Sequence, residues 1–156
     1  MTSPMALEAA ALAEAVHYRT LAPVEVSRWA DAWILRTSDP MPALVDLALS
    51  SRAASADLYD LLRALAGSLQ PADVVPAILG LFAYSLEQGE DRLLPVAHGL
   101  YDLSWAGLLP PEVPDSLRHL RFMIEDAPEL GLDPLALRSE AIRDLAPYRV
   151  AHSFAV

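Results

Sequence analysis

The sequence predicts an all-α fold, and three features carry that prediction. Thirteen prolines recur, most of them where apolar segments begin or end, and a fixed φ with no N–H suits the first helical turn. Apolar side chains recur at three- and four-residue spacing within these segments, which is typical of amphipathic helices. Long runs of β-branched residues, which favour strands, are absent. Because 156 residues match one domain, we expect a single all-helical domain over residues 1–156.

About seven or eight helices follow from these signals, packed as antiparallel hairpins. We expect them near residues 4–19, 23–37, 42–50, 55–67, 71–89, 93–108, 115–128 and from 134 onward. Two local signals are especially clear. Ser55 is a good N-cap with Gly67 as the C′ residue, and Asp133 caps a last helix that has Pro134 at its first position.

The second and fifth segments have the most informative patterns. Apolar side chains of the second recur at the spacing of a buried stripe (Val26, Trp29, Ala30, Trp33 and Ile34), while Glu25 is expected on the surface in the first turn. The fifth, up to Gly89, is apolar nearly all round. A helix without a polar face should lie at the centre of the domain. We also expect all three tryptophans to lie in the core.

The C-terminal residues follow a different pattern. From Tyr148, apolar and aromatic side chains alternate with Arg149, Ala151, Ser153 and Ala155, and a period of two indicates an extended segment. We therefore expect residues 149–156 to form an extended tail over a groove. The tail and the apolar fifth helix are the surfaces on which a homodimer would form.

Charge excludes several classes of partner. Eleven basic residues against 21 acidic ones give a net charge of −10 and a pI near 4.6, which repels phosphate backbones and anionic lipid headgroups. We therefore expect neither nucleic acid nor a membrane surface as the partner. Met1 to Tyr18 lacks a basic leader and carries acids within its apolar stretch. We therefore expect a cytoplasmic bacterial protein, and the absence of Lys and Asn is typical of GC-rich coding.

Catalytic and cofactor motifs are absent from the sequence, and the expectation is a non-enzymatic protein. There is no cysteine, so thiolate nucleophiles, disulfides and Cys-type zinc sites are excluded. The four histidines are scattered, and no glycine-rich phosphate motif occurs; we expect no metal and no cofactor. A weaker alternative is a small-molecule or enzymatic pocket near His98, Asp102 and Trp105, because His98 and Asp102 stand one helical turn apart.

Acidic residues cluster at two predicted turns. Individually each is expected to be a solvated surface residue, but as a patch they form an electrostatic docking surface for a basic protein partner. The candidate contacts are Glu87, Glu90 and Asp91 in the first cluster, and Glu125, Asp126 and Glu129 in the second.

One four-residue motif occurs twice. Leu58-Tyr59-Asp60-Leu61 returns as Leu100-Tyr101-Asp102-Leu103 after 42 residues, and each copy precedes a glycine and then a proline. Helix-pair units of about that length build HEAT-type arrays. A helical-repeat scaffold or adaptor is therefore a second functional hypothesis; it requires the two helix pairs to pack alike.

Three stretches resemble a group of small, uncharacterised bacterial helical proteins. They are the Trp-Ala-Asp helix over residues 26–34, the proline turn and Leu-Asp-Leu helix over residues 39–50, and residues 123–131. Proteins of that group are often encoded near polymorphic toxins. The resemblance implies an immunity-like protein that neutralises a basic toxin such as a nuclease, and it implies no catalytic residue.

Overall fold

Helices form all the regular secondary structure of this computed structural model, which describes residues 2–152 and 154–156. The α-helices are α1 (Pro4–His17), α2 (Pro23–Ile34), α3 (Pro42–Ala48), α4 (Ser55–Ala66), α5 (Val75–Gln88), α6 (Leu93–Trp105), α7 (Asp115–Arg118), α8 (Leu120–Glu125), α9 (Ala127–Leu130) and α10 (Pro134–Ala151). Short 3₁₀ turns at Pro71–Asp73 and Glu90–Arg92 precede α5 and α6. The all-α prediction is confirmed.

Helix α5 is the centre of the domain, as its sequence predicts. It packs against α1 on one side and α10 on the other, and its side chains from Ile78 to Ala83 are buried. Gly80 lets α10 approach closely, since a Cβ there would stand 2.9 Å from the Tyr148 carbonyl oxygen. Because most of α5 is enclosed within one chain, little of it is exposed to a second copy, and the homodimer stays a prediction.

The other helices form two groups around α5. On the side of α1, helix α1 packs on α4, α4 on α3 and α3 on α2, and α1 is itself buried from Ala9 to Val16. On the other side α6 contacts α7 and α8. In the second helix the predicted stripe is confirmed, with Val26, Trp29 and Ala30 wholly buried.

Helix boundaries differ from the prediction in the region between α6 and α10. The single segment expected over residues 115–128 is three short helices, α7 to α9. Pro128, predicted to end a helix, lies in the first turn of α9, where its missing N–H needs no partner. Ser55 is the first helical residue of α4 and Ala54 precedes it as N-cap. The Asp133 cap is confirmed, since its Oδ1 accepts from the Leu135 amide at 3.0 Å.

Two sequence predictions about side-chain placement are wrong. Glu25, expected on the surface, is 5% exposed because Arg92 neutralises it at 2.9 Å. Trp105, expected in the core, is 84% exposed because none of the helices that the structure describes covers that face of α6.

The C-terminal tail begins later than the sequence predicts. Helix α10 continues to Ala151, so the expected extended segment from Arg149 starts three residues further on. Val150 is consequently exposed instead of facing the groove, whereas Phe154 and Val156 pack against the core. Ser153, which also belongs to the predicted alternation, lies outside the described residues.

The two copies of the Leu-Tyr-Asp-Leu motif lie in helices that pack differently. Helix α4 packs mainly on α1 and α3, which precede it, whereas α6 packs on α7 and α8, which follow it. The 42-residue spacing therefore corresponds to no common packing unit of the kind that a solenoid repeats.

Candidate functional site

The six acidic residues predicted as partner contacts are all exposed. Glu87 pairs with Arg149 at 3.4 Å and Glu125 with Arg121 at 3.1 Å. Within the described part of the chain, the remaining four form no ion pair; these are Glu90, Asp91, Asp126 and Glu129. Four carboxylates therefore have no cation of the described residues beside them.

A groove of about 170 Å³ is lined by one residue of the first acidic cluster and by a sequence neighbour of the second. Glu90 lies on one wall, and Ile124, which precedes Glu125, lies on another. Leucine and proline side chains of α6 and α10 form much of the rest (Leu93, Leu94, Pro134 and Leu135). Arg138 also lines the groove, but its Nε donates to the Leu86 carbonyl oxygen at 2.7 Å, so it is held by the backbone of α5.

Aromatic side chains continue this surface along α6. Trp105 is 84% exposed and stacks on Tyr101 with ring centroids 6.4 Å apart. Phe122 of α8, itself 44% exposed, meets the Tyr101 ring edge-on at 5.5 Å. The guanidinium of Arg121 stands 5.0 Å from the centroid of the same ring. The Tyr101 ring thus supports Trp105, Phe122 and Arg121 at the surface.

Helical spacing places these groups on one face. Leu94, His98, Tyr101 and Trp105 are separated by four, three and four residues and so share one side of α6. We call the surface made by Leu94, Tyr101, Trp105 and Phe122, with the groove beside Glu90 at its Leu94 end, the α6–α8 face.

The alternative pocket predicted at His98, Asp102 and Trp105 lies on an open helix side. His98 is partly buried, while Asp102 and Trp105 are exposed, and five grooves formed by the described residues are lined by other side chains. Asp102 neighbours Tyr18: burial first, and then the Asp102 carboxylate, raise the pKa of the Tyr18 hydroxyl to about 12. Asp102 therefore acts on Tyr18 and does not form an enclosed acid–base pair with His98.

Sequence reasoning missed Tyr101 and Phe122. The spacing of Leu94, Tyr101 and Trp105 was the available signal for a second apolar face on α6. Phe122 had no comparable signal, because its exposure depends on how α8 packs on α6.

Within residues 2–152 and 154–156, no cluster of three or more His, Asp or Glu side chains is placed to hold a metal ion. No helix there combines the length and the apolar character needed to cross a bilayer.

Comparison with protein-family models, with curated proteins and with solved structures gives no match. The resemblance to toxin-associated bacterial proteins stays a prediction.

Proposed function

We propose that this chain is a non-enzymatic interaction domain that binds a basic protein partner through the α6–α8 face. The exposure of Trp105 carries the proposal: a tryptophan that is 84% in water loses the hydrophobic stabilisation that burial would supply. Tryptophan is also the residue type most enriched among interface positions that dominate binding energy. Its stacking on Tyr101 limits the side-chain entropy that binding would cost.

Charge complementarity defines the partner. Glu90 lines the groove, and the four acids Glu90, Asp91, Asp126 and Glu129 are exposed and form no ion pair among the described residues. The partner should therefore present Lys and Arg side chains around an apolar pocket or ridge that receives Trp105 and Leu94. The overall charge of −10 raises the association rate with such a surface, and added salt lowers it.

A toxin with a basic active site fits this chemistry. A nuclease binds phosphates through cationic side chains, and carboxylates of an inhibitor can occupy the same positions. The resemblance to toxin-associated proteins favours such an immunity-like role. No structural observation favours the adaptor alternative, because α4 and α6 pack differently. An enzymatic pocket at His98 has no such support either.

The test uses candidate partners encoded by genes adjacent to this one, purified and titrated against the chain at low salt. Replacing Trp105→Ala should weaken binding at least about tenfold. Replacing the four unpaired acids by their amides should slow association and reduce its salt dependence. If no adjacent gene product associates, or if Trp105→Ala binds like the wild type, the proposal fails.

Matched control variants are available elsewhere on the molecule. Leu49, which follows the last residue of α3, is 80% exposed, so Leu49→Ala removes a comparable apolar group from another surface. Four exposed acids of α2, α3 and α4 (Asp31, Asp46, Asp57 and Asp60) allow a second fourfold amide variant with the same net charge. Leu49→Ala should bind as the wild type does, and the second amide variant should slow association much less than the first, which separates a local surface from a general charge effect.

A further inference from the structure

A second candidate site lies between α1, the start of α5 and the end of the chain. The larger of its two grooves, about 390 Å³, has mostly apolar walls that include Leu7, Val74, Ala77 and Phe154. Its described lining contains two carboxylates, Glu8 and Asp73, one histidine, His152, and neither Lys nor Arg. Its volume is within the range of pockets that bind small molecules.

Glu8 is the fixed element of this site. One carboxylate oxygen, Oε2, accepts from the indole Nε1 of Trp29 at 2.7 Å and from that of Trp33 at 2.8 Å. Trp29 is wholly buried, so its indole holds the carboxylate in place. Among the described residues Glu8 has no ion-pair partner.

A smaller groove of about 220 Å³ adjoins the first, and Glu8 and Phe154 line both. It also contains Trp33 and Arg36, but the Arg36 guanidinium lies over the Trp33 ring, 5.6 Å from its centroid. Two indole N–H groups thus orient the Glu8 carboxylate without neutralising its charge.

We propose that this site binds a small primary ammonium ligand with a short apolar body. The ammonium group donates to the Glu8 carboxylate and also approaches that of Asp73, while the apolar body packs on Leu7, Val74 and Ala77. Asp73 is held in place because its Oδ2 accepts from the Gln70 amide at 2.8 Å. A charge-assisted contact to a preoriented carboxylate selects the cation over neutral or anionic analogues of the same shape.

The test uses 2-phenylethylamine as probe, with 2-phenylethanol and phenylacetate as neutral and anionic analogues. The chain has three tryptophans, so an ¹⁵N spectrum resolves three indole N–H signals, and Trp105 is an internal control because it lies outside both grooves. The amine should shift the Trp29 and Trp33 signals in a saturable way and leave Trp105 unchanged. Absence of saturable shifts up to millimolar amine, or equal binding of phenylacetate, overturns the proposal.

Variants locate the contact. Glu8→Gln keeps an oxygen that accepts from both indoles but removes the charge, so amine affinity should fall at least about tenfold while the alcohol binds as before. Glu90→Gln, an equal charge change outside the site, should leave amine binding intact. Unchanged amine affinity in Glu8→Gln overturns the proposal.

A second variant covers the case in which Glu8→Gln disturbs folding. Ala77→Leu enlarges a side chain of the groove wall and should weaken the amine and the alcohol alike. Wild-type amine binding in Ala77→Leu overturns the proposal. Because the probe is a small amine and the readout excludes Trp105, this result is independent of whether the α6–α8 face binds a protein.

Discussion

Glu25 and Arg92, 67 residues apart in the sequence, form a partly buried ion pair in which the Arg92 Nη1 atom stands 2.9 Å from each carboxylate oxygen. The Tyr84 hydroxyl donates to Glu25 Oε1 at 3.0 Å and the Ala22 amide to Oε2 at 2.7 Å. The carboxylate is therefore well supplied with donors at the start of α2, and it connects α2 to α5 and to the turn before α6.

Removing the cation from this network should be costly. Arg92→Met leaves the Glu25 carboxylate buried without its counter-ion, and we expect the free energy of unfolding to fall by about 2–4 kcal/mol, measured by urea denaturation. The matched control is Arg143→Met: Arg143 is 71% exposed beside Glu140 and Asp144, and loss of a surface pair should cost about 0–1 kcal/mol. Equal losses of unfolding free energy in Arg92→Met and Arg143→Met would show that burial of the pair does not raise the cost of removing its cation.

Gly99 should not tolerate a methyl group. A Cβ at this position would stand 2.5 Å from Cζ of Phe82, which is wholly buried in the core. We expect Gly99→Ala to lower the free energy of unfolding by about 1–3 kcal/mol, although alanine is the better helix former.

A second substitution identifies the cause. Adding Phe82→Leu to Gly99→Ala removes the ring that meets the new methyl group. The double variant should therefore lose less free energy of unfolding than the sum of the losses in the two single variants. Strict additivity would show that the contact with Phe82 is not responsible.

Glu14 should give the stability a distinctive pH dependence. It is 8% exposed in α1, and burial raises its pKa above the ordinary value, with His17 and Arg63 partly opposing the shift. The folded state thus holds the proton more tightly, and the Glu14 contribution to stability is complete below the unfolded pKa and is lost as pH rises through the folded pKa.

The corresponding variant is Glu14→Gln. It should raise the melting temperature at pH 7 and flatten the decline in stability as pH rises above about 4.5, measured by thermal unfolding at several pH values. Glu90→Gln, at an exposed position, should change neither. A lower melting temperature at pH 7 for Glu14→Gln would mean that its charge is needed in the fold.

The tail should contribute to stability. Phe154 and Val156 pack against the core, so deletion of residues 152–156 exposes the apolar surface that they cover and should lower the free energy of unfolding by about 1–3 kcal/mol. Val150→Ala is the control, because Val150 is 84% exposed and its loss should have little effect. An unchanged melting temperature after the deletion would contradict the tail's packing.

Signals between neighbouring residues predict most helices, but they do not predict which side chains the packing of distant helices buries. The Asp133 cap, the early prolines and the fully apolar α5 depend on neighbouring residues alone, and the structure agrees with each. Glu25 was misplaced because its partner Arg92 is distant in sequence. The segment 115–128 differs from the prediction because a proline inside a run is equally consistent with the end of one helix and with the start of another.

The candidate site was only partly predictable for the same reason. Clustering along the chain identifies Glu90 and Glu125 as surface acids, but the packing of α8 on α6 places Ile124, next to Glu125, in the same groove as Glu90. The sequence places Trp105 in the core because apolar residues on one side of a helix recur at the same spacing whether or not a neighbouring helix covers that side. Glu8 gave no signal, since its partners Trp29 and Trp33 follow more than 20 residues later.

The enclosure of α5 between α1 and α10 affects synthesis. A nascent chain that has not yet released α10 from the ribosome lacks one wall around α5, so the apolar side of α5 stays uncovered until α10 has emerged. The domain therefore completes its core only after residue 151 has left the ribosome, and a product that stops before residue 134 should be cleared by proteases or bound by chaperones.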